Sequence, residues 1–171
     1  TISQNHLSYN SYGFYFESSG NNTISGNELA TNYNGMWLQY SGSNTLTGNT
    51  LANHYTYALV LDHSDSNTIS WNNIINNYSC RGIWLQNSAN NTLNDNQLTS
   101  NYVGIWLDYS PSNTISGNNG TNNDYGLYIY QSGDNTIHEN SFADNYVCGL
   151  VLDYSDNNTC RGNNLTSNDY G

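Results

Sequence analysis

Tyr15, Trp37, Trp84, Trp106 and Tyr128 fall at one and the same place in a phrase that recurs along this 171-residue chain, with Val60 and Val151 completing the column. Two positions further on stand Glu17, Gln39, Asp62, Gln86, Asp108, Tyr130 and Asp153. Rings flanked by carboxylates and amides suit a sugar chain, because an aromatic face stacks on the C–H face of a pyranose while polar neighbours bond its hydroxyls. The same row would serve lateral assembly, since a contiguous exposed aromatic patch is an interaction surface. Asp62, Asp108 and Asp153 are the aspartates of this face. Asp62 and Asp108 lie two repeats apart, about 9.6 Å at ~4.8 Å per parallel strand, which is the edge of the range used by inverting glycoside hydrolysis. Equivalent places on an open face do not supply an acid and a base in different environments. No catalytic residue is therefore assigned.

The elements that position this face follow from the repeat. Thr occurs at 1, 23, 45, 68, 92, 114, 136 and 159, a period of 22 to 24 residues, and a period of that length marks stacked supersecondary units. Alternation within each period gives inward residues. One strand offers Ile2, Ile24, Leu46, Ile69, Leu93, Ile115, Ile137 and Cys160. A second offers Leu7, Leu29, Leu51, Ile74, Leu98, Phe142 and Leu165, with Gly120 as its weak member. A third has two inward places per period, as in Met36 and Leu38 or Ile105 and Leu107. Three short strands per period, each pairing with its own copy one period later, predict an all-β, right-handed parallel β-helix solenoid of about seven and a half coils, one domain over 1–171. The chain begins and stops in mid-repeat, which reads either as a piece of a longer array or as a subunit stacked end to end on copies of itself.

Asn recurs four places after each Thr and again near a second bend. Columns of this kind predict Asn ladders, with the residue itself adopting the left-handed geometry of the bend. All variation in period falls in one loop, around residues 54–57, 78–81 and 146–148. Insertions confined to one edge of a solenoid map to loops on one face, often the binding face.

Composition narrows the partners. Two Arg, no Lys and 13 acids leave a net charge of -11, which disfavours nucleic acid and anionic membranes. No apolar run approaches the ~20 residues of a membrane-spanning helix, so no membrane insertion is expected in this segment.

Segments such as Asn22-Thr23-Ile24-Ser25-Gly26-Asn27 and Tyr102-Val103-Gly104-Ile105-Trp106-Leu107 resemble the parallel β-helix (PbH1) repeats of the NosD-like, carbohydrate-binding and sugar-hydrolase group, found in archaeal and bacterial surface proteins. The resemblance runs through the whole chain. It implies the fold and raises copper handling and polysaccharide processing as family activities. Lyases of this shape are expected to need a basic residue or a Ca²⁺ cluster. Arg81, placed in the longest insertion, and Arg161 are the bases here, and no dense acidic triplet is present.

Metal ligands are dispersed. His6, His54, His63 and His138 occupy unrelated columns beside a single Met, so no metal and no cofactor is assigned. Cys80 and Cys148 stand three coils apart, ~14 Å along the rod, beyond disulfide reach. Cys160 takes an inward place, and whether it meets Cys148 is open at this point. Asn-x-Ser/Thr at Asn21, Asn77, Asn90, Asn119, Asn157 and Asn164 marks candidate N-glycosylation and an extracellular or cell-surface setting. The expectation is a non-catalytic structural module of a secreted or surface protein that assembles with copies of itself. A carbohydrate-binding module on the aromatic face and a polysaccharide lyase or hydrolase are the alternatives.

Overall fold

The computed structural model describes residues 1–77 and 79–171, and no described residue is helical. Tyr78, in the second insertion, lies outside the described residues. The strands stack into three parallel sheets of eight, six and seven members. In the first, Thr23–Ser25 pairs with Thr45–Thr47, which pairs with Thr68–Ser70. In the second, Glu28–Ala30, Thr50–Ala52 and Asn73–Ile75 do the same. In the third, Asn34–Gln39, Tyr57–Asp62 and Arg81–Gln86 follow one another. Each residue lies beside its own copy one period away, so the columns inferred from the repeat are real rows down a parallel β-helix.

The inward alternation fills the interior. Ile24, Leu29, Leu38, Ile69, Ile74, Ile83, Leu93, Leu98, Ile105 and Ile115 are fully buried, and each of the five inner strands of the third sheet contributes two buried residues, while in its last strand Leu150 is half-buried and Leu152 exposed. Gly120, the weak place, is filled from the next coil. A Cβ there would come within 2.7 Å of the Phe142 ring, so the large side chain occupies the space that the missing one leaves. At the start of the third-sheet strands a different constraint applies. A Cβ on Gly104 would meet the Gly126 carbonyl oxygen at 2.6 Å, so the backbones approach too closely for any side chain. Cys160 lies in the first-sheet strand Thr159–Arg161, in register with the buried Ile137 as the alternation requires, and is itself exposed.

Three corners turn the chain. At the first, the backbone N–H of Asn96 donates to Asn118 Oδ1 at 3.0 Å and its Nδ2 donates to the same oxygen at 2.9 Å. Asn118 repeats both bonds to Asn140 at 2.9 Å. The second corner carries the same device through Asn101, Asn123 and Asn145. Left-handed geometry does not fall on the ladder residue, contrary to the sequence reading. It falls on the residue just before, as at Gln4, Trp71 and Asp95 with φ of 58°, 57° and 56°. A third column, Asn22, Asn44, Asn67, Asn91, Asn113 and Asn135, lies immediately ahead of each Thr and links coils in the same way. Beside it a Ser row joins coils through backbone N–H to Oγ bonds, as in Ser88 to Ser110 at 3.0 Å.

Candidate functional site

The outer face of the third sheet carries three rows. The middle one is the aromatic column, in register from Tyr15 through Trp37, Val60, Trp84 and Trp106 to Tyr128. The second is Glu17, Gln39, Asp62, Gln86, Asp108, Tyr130 and Asp153. The row at the strand starts, Tyr12, Asn34, Tyr57, Arg81, Val103 and Tyr125, was not singled out from sequence. Its signal lies three residues ahead of each ring of the middle column. Arg81 belongs to this row: it is the first residue of the strand Arg81–Gln86, not part of the insertion.

These rows interlock into one run of π groups. Tyr12 meets Trp37 edge-on at 6.1 Å, Trp37 meets Tyr57 at 5.9 Å, and Tyr57 meets Trp84 at 5.0 Å. Tyr57 thus carries the run past Val60, which is fully buried although it points outward. Between Trp84 and Trp106 the link is the Arg81 guanidinium, 4.7 Å from one ring centroid and 4.1 Å from the other. Trp106 then stacks on Tyr128 at 4.6 Å with 19° between planes. Cation–π contacts of this kind hold the guanidinium in place through its faces.

The polar row is hydrogen-bonded in pieces. Tyr15 Oη donates to Gln39 Oε1 at 2.6 Å, and Gln39 Nε2 donates to Asp62 Oδ2 at 3.1 Å. The other Asp62 oxygen lies 2.7 Å from His63 Nδ1. Tyr128 Oη donates to Asp153 Oδ2 at 3.0 Å. Asp108 differs: no described side chain bonds its carboxyl, and burial raises its pKa, with the Arg81 charge opposing in part. Asp62 and Asp108 therefore do not share one environment, which corrects the expectation drawn from their equivalent places.

Four buried donors of this face have no partner among the described residues: the indole Nε1 of Trp37, Trp84 and Trp106 and the Nε of Arg81. Beside Arg81 opens a hollow of about 300 Å³ lined by Tyr55, Thr56, Tyr57, Ser79, Cys80 and Tyr102. It sits at the corner that takes the insertions. A second hollow at the same corner is lined by Tyr9, Tyr33 and Tyr55.

The remaining sequence candidates divide. Asn21, Asn90, Asn157 and Asn164 are exposed and Asn119 is half-buried. Asn77 is withdrawn as a glycosylation site: it is fully buried in the second-corner ladder, where its Nδ2 donates to Ile75 O and Asn101 Oδ1. Cys80, Cys148 and Cys160 are all free, so Cys148 and Cys160 do not pair. His54 stands in the second-corner ladder itself, between Asn32 and Asn77.

A family model described as periplasmic copper-binding protein (NosD) matches residues 1–119 and 56–171. No curated protein sequence matches the chain significantly. Among solved structures, a double mutant of the periplasmic alginate epimerase AlgG is similar at 22% identity and a TM-score of 0.76 over 84% of this chain and 36% of that one. The A-module of the Azotobacter vinelandii mannuronan C-5 epimerase AlgE4 gives 13% and 0.76 over 97% and 55%. The enzymatically active domain of bacteriophage CBA120 tailspike protein 2 gives 18% and 0.67 over 94% and 26%. At these identities the likeness is one of fold, and the chain spans between about a third and a half of the first matching structures. The exclusion of enzymes made from sequence is overturned all the same. These similar structures are those of an alginate epimerase, a mannuronan C-5 epimerase module and an enzymatically active tailspike domain, so a column of repeated residues is no ground for excluding chemistry. Copper, named in the family description, finds no matching donor set. No three His, Cys, Asp or Glu among the described residues come together, and the one Met, Met36, is buried in the core.

Proposed function

The chain belongs to the NosD family of parallel β-helix proteins, and on that footing we propose that the outer face of its third sheet holds a polysaccharide laid along the rod. The carrying observation is the unbroken run of π groups from Tyr12 to Tyr128, flanked by Glu17, Gln39, Asp62, Gln86, Asp108 and Tyr130 at one per coil. Coils repeat at ~4.8 Å, close to the length of one sugar unit in an extended chain. Each sugar can therefore meet one ring and one polar side chain. The periplasmic descriptions of the family and of AlgG support an envelope or secreted setting, where such polymers occur.

The test is retention on immobilised or gel-embedded polysaccharides. Trp84→Ala and Trp106→Ala are expected to lower retention about tenfold each while melting cooperatively, since base and ring stacking contacts of this size contribute ~1 kcal/mol or more. Unchanged retention with lost lateral association would make the face an assembly surface and overturn the reading.

A second reading, chemistry on the bound polymer, is favoured by Asp108. A carboxyl whose pKa is raised by burial, on the outer face and near Arg81, has the properties of a proton donor. Incubation with acidic and neutral polysaccharides should then yield new reducing ends, unsaturated ends or altered sugar epimers, lost in Asp108→Asn. No change in any polymer would remove this second reading and leave the first.

A further inference from the structure

Arg81 is the one Arg of the third sheet, and its charge acts on Asp108 without closing an ion pair. The chain's other base, Arg161, lies on the first sheet. No carboxylate stands within 4.0 Å of the Arg81 guanidinium among the described residues, and its Nε is buried without an acceptor. The residue as a whole is half-buried, and a buried N–H normally finds an acceptor. Here the faces of the guanidinium are occupied by Trp84 and Trp106, which leaves only the in-plane N–H groups for bonding. Those groups form the fork that matches a carboxylate. The adjoining hollow is lined by Arg81 itself together with Tyr55, Thr56, Ser79 and Tyr102, four residues that carry hydroxyls.

Around that single positive point the face is acidic. Glu17, Asp62, Asp108 and Asp153 line the row beside the rings, one in most coils, in a protein of net charge -11. A polymer with a carboxylate on every sugar would set one charge against each of these acids. A polymer with an isolated carboxylate would meet only Arg81. Resting on the polysaccharide reading, we infer that the ligand is a heteropolysaccharide whose uronic acids are separated by neutral sugars, with one carboxylate seated on the Arg81 fork between Trp84 and Trp106.

Three oligosaccharides of equal length test this by calorimetry: one with a single uronate among neutral sugars, its carboxyl-reduced counterpart, and one with a uronate at every position. The expected order of affinity is single acid, then neutral, then fully charged. The first should exceed the second about tenfold, as a charge-assisted bidentate contact would give. Arg81→Gln should bring the ratio of the first two to about one, and Arg81→Lys should restore only part of it because an ammonium lacks the fork. Melting of each variant beside the parent separates misfolding from lost recognition. Equal affinity for the single-acid and reduced sugars in the parent protein, with Trp106→Ala still weakening both, would overturn the role of Arg81 and leave the binding face standing. Tightest binding of the fully charged oligomer would overturn the inference as well. Binding of none of the three would remove the binding face with it.

Discussion

The first corner and the outer face of the third sheet are built from the same period, yet one is closed and the other open. At the corner, Asn118 accepts from the backbone and side chain of Asn96 and donates to Leu93 O, Ser116 O and Asn140 Oδ1. Every polar atom of that amide is used on a neighbouring coil. On the face, three indole N–H groups and the Arg81 Nε have no partner among the described residues. A repeat whose bonds all close on the next coil specifies the fold. One that leaves half-exposed rings, with N–H groups not tied to the next coil, has recognition capacity to offer a ligand. The two regions should therefore fail differently when mutated.

The largest effect is expected at the corner. Asn118→Ala removes two N–H donors, shared among Leu93 O, Ser116 O and Asn140 Oδ1, and the oxygen that accepts from both the backbone N–H and the Nδ2 of Asn96, while Ser116 O keeps the Asp95 N–H. Each buried group left unpaired costs ~1–3 kcal/mol, so a loss of about 3–5 kcal/mol is expected in the denaturation midpoint, with loss of folding as the extreme. A change under about 1 kcal/mol would erase the contrast between corner and face.

That contrast was only partly legible in the sequence. Thr spacing and alternating apolar residues reveal the coils, because a core one side chain wide admits no other register. Columns at Asn96 and Asn118 reveal two ladders for the same reason. The bend geometry was misplaced because the left-handed position is taken by Gln4, Trp71 or Glu139 as readily as by Gly26. The ladder next door holds the backbone there, so no glycine signature appears. The third Asn column precedes every Thr and was readable, but it merges with the Thr phrase. Arg81 was assigned to a loop because an insertion does not say which of its residues rejoins the strand. The distinct setting of Asp108 was hidden because it comes from burial, which a place in the repeat does not report, with Arg81 one coil away opposing it in part.

His54 is where the closed region is weakest, and it supplies the next effect in size. Its Nδ1 accepts from the Asn32 N–H at 3.2 Å, so the ring proton sits on Nε2, which is buried and has no acceptor. Burial lowers its pKa to about 4. The unfolded chain, with an ordinary imidazole near 6.5, binds the proton first as pH falls. Stability is therefore full above about pH 6.5 and is lost progressively down to about pH 4, by roughly 3 kcal/mol in all. His54→Asn should abolish that share of the acid sensitivity. It should also raise stability at neutral pH by about 1 kcal/mol, because an amide completes the ladder. Parallel pH–denaturation curves for the two proteins would contradict the account of the corner.

The smallest effect sharpens the face. Tyr128 contributes a ring stacked on Trp106 and a hydroxyl that donates to Asp153. Tyr128→Phe keeps the first and deletes the second. Since that bond is partly exposed, its removal should change stability by under about 1 kcal/mol and free one Asp153 oxygen for a sugar hydroxyl. Affinity for polysaccharide is then expected to stay within about threefold of the parent, against the roughly tenfold fall expected for Trp106→Ala. Comparable losses in the two variants would mean that the polymer is held through the polar row, with the rings as its scaffold. The open region would then owe its function to Asp62, Asp108 and Asp153 and not to the run of π groups that Arg81 completes.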